Sequence, residues 1–205
     1  MSLPDLAWQA VHARLAWGVV AVALLLSWPL LRERRTRLAV AIVVMAAMWL
    51  PGPASPAWWL GLAFQQPSGL LAMLCAASAM RRLGGRADAP VLPVPLALGL
   101  ALGGLVLYAD AVGALSLGLY AWGFDPVQAP VAGLVLSVLA LAAAVMGRAP
   151  WAAWAVLLAL TLHAVARLPT GNLFDALLDP LLWLWAAWRS VAALRRRPAA
   201  AAASS

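Results

Sequence analysis

Pro126-Val-Gln-Ala-Pro-Val-Ala-Gly-Leu-Val-Leu-Ser-Val-Leu-Ala-Leu-Ala-Ala-Ala-Val-Met146 carries no charged residue. A helix needs about 20 predominantly apolar residues to cross a ~30 Å hydrocarbon core, and this run supplies them. It follows Asp125 and stops at the turn Gly147-Arg148-Ala149-Pro150. A lipid-embedded chain must satisfy its backbone polar groups internally, and long unbroken apolar runs favour helices over the alternation of a barrel. The chain is 65% hydrophobic and only 10% charged, where a soluble domain carries about 25% charged residues. The expected fold class is therefore all-α, a polytopic transmembrane helical bundle.

Working outward from this fifth span, Trp151 to Ala166 reads as a sixth and Pro180 to Leu194 as a seventh, closed by Arg195-Arg196-Arg197. The Ala/Ser tail from Pro198 to Ser205 is expected to be disordered, which leaves residues 1–197 as one domain. Toward the N-terminus, a fourth span covers Leu92 to Tyr108 and holds Gly99-x-x-x-Gly103, a spacing that lets two helices approach closely. The third span starts at the N-cap Ser68 and runs to Met80. The second covers Thr36 to Leu50 and the first Leu15 to Leu31. Two connections are apolar but cannot cross. Ala57 to Phe64 is too short, and its Trp58-Trp59 pair suits the headgroup level, so an interfacial or re-entrant piece is expected. Ala109 to Asp125 is expected to hold a short helix at the interface.

All fourteen basic residues are arginine, and on this map twelve of them fall on one side. They are residues 32, 34, 35, 37, 81, 82, 86, 148, 189, 195, 196 and 197; only Arg14 and Arg167 fall on the other. Cytoplasmic loops are enriched in arginine and lysine, so the map predicts seven spans with the N-terminus outside and the C-terminus inside. The net charge of +7 then belongs to the membrane's inner face, and no nucleic-acid partner is expected. The partners expected are the bilayer and other membrane proteins. The absence of lysine rules out a retinal Schiff base and a P-loop lysine. The single Cys75 excludes an intramolecular disulfide and a cysteine metal cluster. Metalloprotease, nucleophile-elbow and glycine-rich phosphate-loop motifs are absent, and no cofactor or metal site is expected.

The segment Arg167-Leu-Pro-Thr-Gly-Asn-Leu-Phe-Asp-Ala-Leu-Leu-Asp-Pro180 joins spans six and seven. Asp175 and Asp179 sit four residues apart, a spacing that puts them on one helix face. Asn172 reads as the cap of a short helix and Asp179-Pro180 as the cap of the next, with proline at the first helical position. Asp125-Pro126 repeats that start at span five. Asp175, in the first turn of the short helix that Asn172 caps, sits at the positive end of its dipole and is less well explained by capping than Asp179. Arg167, on the side that disfavours arginine, is expected to pair with Asp175, Asp110 or Asp179. His163 lies one turn deeper on the same face. The catalytic candidates are His163, Arg167 and Asp175; the binding candidates are Arg14, Asp110, Asn172 and Asp179.

Gly171-x-x-x-Asp175-x-x-x-Asp179 resembles the second half of the CDP-alcohol phosphatidyltransferase signature. The aspartates that should precede it are missing, and that family's site faces the cytoplasm. Asn172-Leu-Phe-Asp-Ala-Leu-Leu-Asp-Pro180, with Tyr120-x-x-Gly-Phe-Asp-Pro126, resembles segments of small uncharacterised bacterial multi-spanning inner-membrane proteins. That resemblance implies a bacterial inner-membrane protein and no particular activity. The expected role is accessory, acting through helix packing or partner binding in the cell envelope. One alternative is a membrane enzyme acting on a lipid-linked phosphate or sugar at the outer leaflet, with Arg14 and Arg167 on the phosphate. The other is a small-solute or ion carrier whose site forms at the breaks Gln65–Gly69 and Gly171–Pro180.

Overall fold

The computed structural model describes residues 5–31, 33–85 and 90–202. Every regular element among them is helical. The order is α1 (Leu6–Leu25), α2 (Arg34–Met48), α3 (Pro56–Phe64), α4 (Gly69–Leu83), α5 (Val94–Ala111), α6 (Leu119–Trp122), α7 (Gln128–Val145), α8 (Pro150–Ala166), α9 (Leu173–Leu177) and α10 (Pro180–Ala202). Arg32 and Arg86 of the inner-face set, and residues 203–205 of the tail, lie outside the described residues. Helix α10 continues past Pro198 to Ala202.

The starts of these helices follow from local chemistry. The Oδ1 of Asp5 accepts from the Ala7 amide at 2.7 Å, which starts α1 at Leu6 and not at Leu15. His12 and Arg14 consequently lie within a bundle helix and not ahead of it. Ser55 and Ser68 cap α3 and α4 through their hydroxyls. Asp125 caps the start of α7, its Oδ1 accepting from Val127 and Gln128 at 2.8 Å each. These backbone donors hold the Asp125 carboxyl below its ordinary pKa.

Named contacts fix the helix directions. His12 Nε2 lies 3.3 Å from the Pro67 carbonyl near the start of both α1 and α4, and Arg82 reaches the Leu26 carbonyl near the end of both, so the two run parallel. Helix α2 returns alongside, with Met45 and Met48 against Gly18. Helix α10 runs antiparallel to α5, tied by Trp183 Nε1 to the Ala101 carbonyl at 2.9 Å and by Arg189 to the Leu92 carbonyl at 3.1 Å. The start of α7 and the end of α8 share one cavity, so they are antiparallel too. Ser68 and Asp179, each just before a helix, bond to each other, so α4 and α10 run parallel. Gly69 at the start of α4 lies against Ala159 in the second half of α8. With these links the long helices α1, α2, α4, α5, α7, α8 and α10 alternate in direction.

The centre of the bundle is α4, with Leu70 and Leu74 at most 1% exposed, packed against α1 and α8. Helices α1, α5 and α7 are long and apolar enough to cross a membrane. The outer surfaces of α5 and α7 expose Leu102, Leu105, Leu134, Val138 and Leu139, an apolar surface of the kind that lipid covers. The close helix approach expected at Gly99 and Gly103 occurs elsewhere, because both of those face open space. Gly104 meets the other helix, and a Cβ there would collide with the Trp183 ring.

Candidate functional site

Two interruptions shape one end of the bundle. Helix α3 stops at Gln65 (φ 61°) and α8 stops at Arg167 (φ 56°). Non-glycine residues in this region cost ~1–3 kcal/mol and persist where surrounding contacts over-determine them. At the first break, Trp17 Nε1 donates to the Gln65 carbonyl at 3.0 Å. At the second, the Arg167 amide donates to the His163 carbonyl at 2.8 Å, and the Arg167 carbonyl accepts from the Gly171 amide at 2.7 Å. Trp17 lies about 16 Å along α1 from its first residue, taking 1.5 Å per residue, so the first break is sunk well into the bundle.

The breaks meet at Asp179, which is 8% exposed. Its Oδ1 accepts from the Leu181 and Leu182 amides at 2.8 and 2.9 Å, capping α10. Its Oδ2 accepts from the Ser68 amide at 2.8 Å, at the start of α4. One buried carboxylate therefore sits at two helix N-termini, where the helix dipole favours negative charge. The capping role expected for Asp179 is present, and the second helix is an addition that no local pattern encodes.

Asp175 is held differently. Thr170 donates to its Oδ2 at 2.6 Å, and the Tyr120 hydroxyl lies 2.9 and 3.0 Å from its two oxygens. Burial, and then the bond to Asp175, push the Tyr120 phenol up to about 12. Among the described residues no arginine forms an ion pair with Asp175, and Arg167 pairs with no carboxylate. The expected Arg167 ion pair is therefore not formed. Asn172, a binding candidate, is fully buried and structural. Its Oδ1 caps α9 at the Phe174 amide (2.8 Å), and its Nδ2 donates to the Tyr120 carbonyl at 3.1 Å. The Leu173 amide adds a bond to the Gly123 carbonyl at 3.0 Å. Any Cβ on Gly123 would collide with the Asn172 amide, so glycine is required there.

Between the breaks lies a cavity of about 500 Å³ whose walls include Trp17, Phe64, Gln66, Tyr108, Tyr120 and Asp175, with Asp179 behind. Tyr108 packs edge-on against Trp183, ring centres 5.7 Å apart. The Gln66 Oε1 and the Tyr108 hydroxyl are buried without a hydrogen-bond partner, and buried polar atoms of this kind call for an explanation. The described residues hold no group of three His, Cys, Asp or Glu side chains, so the acids here form no ready-made metal ligand set.

The remaining candidates lie elsewhere. His163 and Arg167 line a separate cavity of about 400 Å³ between α7 and α8. Arg14 lines a third, of about 310 Å³, beside α3, with its guanidinium 5.5 Å from the centre of the Trp49 ring. Asp110 accepts from the Leu117, Gly118 and Tyr120 amides at 2.7 to 3.1 Å, and so folds the loop that carries Tyr120. Sequence reasoning missed Thr170, Trp17 and the role of Tyr120. The signal available was the polar pair Gln65-Gln66 between apolar runs, which marks the first break. Comparison of the chain with family models, with curated proteins and with solved structures finds no match.

Proposed function

We propose that the chain is a seven-span protein of the bacterial inner membrane, N-terminus outside and C-terminus inside, that carries a small organic cation through the cavity between its two helix breaks. The alternating helix directions and the twelve-to-two arginine asymmetry support the topology. One observation carries the functional reading. Two interrupted helical segments meet at Asp179 and enclose Asp175, a half-buried carboxylate held by neutral hydroxyls alone. A carboxylate in that setting favours a positively charged guest. The aromatic walls add cation–π attraction, and Gln66 offers an acceptor. The volume, about 500 Å³, falls in the usual range of small-ligand sites, ~300–1,000 Å³. Carriers characteristically form their sites where discontinuous helices break.

The enzyme reading needs His163, Arg167 and Asp175 on one cavity, and they line two. It also needs Arg14 beside Arg167, and they too line different cavities. The accessory reading favours an Arg167 locked onto an aspartate, and Arg167 has no such partner.

The test uses Leu181→Cys in a Cys75→Ala background, reconstituted in vesicles of known orientation. A carrier exposes position 181 to membrane-impermeant thiol reagents from both faces in turn, and benzylammonium slows the labelling where benzoate does not. Labelling confined to one face overturns the carrier reading. Equal protection by benzoate overturns the cation assignment.

A further inference from the structure

A second cavity lies outside that reading. It sits between α7 and α8, holds about 400 Å³, and has Leu134, Ser137, Thr161, His163, Arg167 and Leu173 among its walls. His163 is 5% exposed, yet neither imidazole nitrogen has a hydrogen-bond partner; the Leu168 backbone lies near the ring without reaching bonding geometry. An imidazole buried with both nitrogens idle carries a desolvation cost that a bound acceptor would offset. Arg167, half-buried at the end of α8, brings a guanidinium that no carboxylate among the described residues neutralises. The Ser137 and Thr161 hydroxyls already donate to the Gly133 and Leu157 carbonyls, at 2.7 and 2.8 Å. Arg167 and His163 are thus the side-chain donors left in the cavity.

We propose that this cavity seats the phosphate headgroup of an anionic membrane lipid. The guanidinium fork matches a phosphate bidentately, and His163 donates a further bond from its ring N–H. The remaining walls fit acyl chains. Leu134, which lines the cavity on α7, is 66% exposed, and Val138, one turn further on the same face, is 57% exposed. The polar end of the cavity is therefore continuous with an apolar helix surface, an arrangement that suits an amphipathic anion better than a free one.

The full-length protein, purified in a neutral detergent, tests this by native mass spectrometry with phosphatidylglycerol against phosphatidylcholine. The wild type should retain phosphatidylglycerol preferentially. Arg167→Gln should weaken that retention by about tenfold, the value of one lost charge-assisted hydrogen-bonding partner, and His163→Leu should weaken it less. Arg167→Lys keeps the charge without the fork and should fall between, which keeps the test informative if Arg167→Gln fails to fold. Arg14→Gln, in a different cavity, should retain phosphatidylglycerol as the wild type does. Equal retention of both lipids, or undiminished selectivity in folded Arg167 variants, overturns the proposal. Displacement of phosphatidylglycerol by millimolar inorganic phosphate, with the same dependence on Arg167, overturns the lipid assignment in favour of a free-phosphate site.

Discussion

The cavity between the breaks and the cavity between α7 and α8 lie at the same end of the bundle and differ in sign. In the first, the acids are engaged. Asp179 holds three backbone amides and Asp175 two hydroxyls. In the second, the basic groups have no acid to meet: His163 has no hydrogen-bond partner and Arg167 no ion pair. The difference teaches that a charged residue at the end of an apolar helix bundle does not have to pair with its opposite across the bundle. Asp175 lies only eight positions from Arg167 in sequence, yet the two side chains line different cavities. Charge separated in this way costs stability and leaves two cavities whose charged side chains differ in sign.

The comparison can be broken at several points. The largest effect is expected at Asp179. Asp179→Ala leaves the Ser68, Leu181 and Leu182 amides without their acceptor, and each buried unsatisfied group costs ~1–3 kcal/mol. Strong destabilisation in detergent unfolding is therefore expected, with Asp179→Asn milder. An Asp179→Ala protein as stable as wild type would show that the two breaks are not joined there. Gly123→Ala comes next. Its Cβ collides with the Asn172 amide that positions Tyr120, and overpacking of this kind costs ~1–3 kcal/mol. It should weaken benzylammonium protection in the acidic cavity and leave phosphatidylglycerol retention in the other unchanged.

Asp175→Asn separates binding from stability. Thr170 and Tyr120 keep an acceptor, so stability should change by less than ~1 kcal/mol, while benzylammonium protection is lost. The same variant tests Tyr120 by its ultraviolet titration. The phenol is raised from 10 to about 12 in the folded protein by burial and by Asp175. Its neutral form therefore adds stability that is fully present below pH 10 and is lost as pH rises through about 12. In Asp175→Asn the titration should move back toward 10, and no movement would mean that burial alone sets it.

His163→Leu sharpens the other side. Removing a buried group that has no partner should leave the melting temperature unchanged or raise it, even as lipid selectivity falls. A marked drop would mean that the ring holds a structural bond. The smallest effect is expected at Asp125, whose depressed carboxyl caps α7. That stabilisation is present above the ordinary carboxylate range and is lost as pH falls through the lowered folded value. Asp125→Asn should flatten this part of the acid-unfolding profile and leave both cavities intact.

The parts of the fold legible in the sequence are those set by neighbours in the chain. Ser68, Asn172, Asp125 and Asp179 were readable as caps because a cap and its amides lie two or three residues apart. The interruption after Phe64 was readable from Gln65-Gln66-Pro67. The start of α1 was not, because hydropathy placed it at Leu15, whereas the cap at Asp5 carries the helix back through His12 and Arg14. A glycine spacing pointed to Gly99 and Gly103, but which glycine meets a neighbour depends on how α5 is rotated, and Trp183 selected Gly104. The candidate site was legible at Asp175 and at the two breaks that flank it. Its partner Tyr120 is 55 positions away, brought there by the Asp110 loop and the Asn172 lock. Neither has a periodicity that a single sequence displays. The expected ion pair at Arg167 failed for a related reason: charge complementarity states a preference, and chain geometry decided against it.

The bond from the Ser68 amide to Asp179 has a mechanical meaning. Helices α4 and α10 hang from a common pin, so neither can slide along its axis without dragging the other or breaking that bond. Any rocking that opened the acidic cavity would leave α4 and α10 turning together as one lever. The short stubs α3, which ends at the first break, and α9, which follows the second, would serve as the flaps.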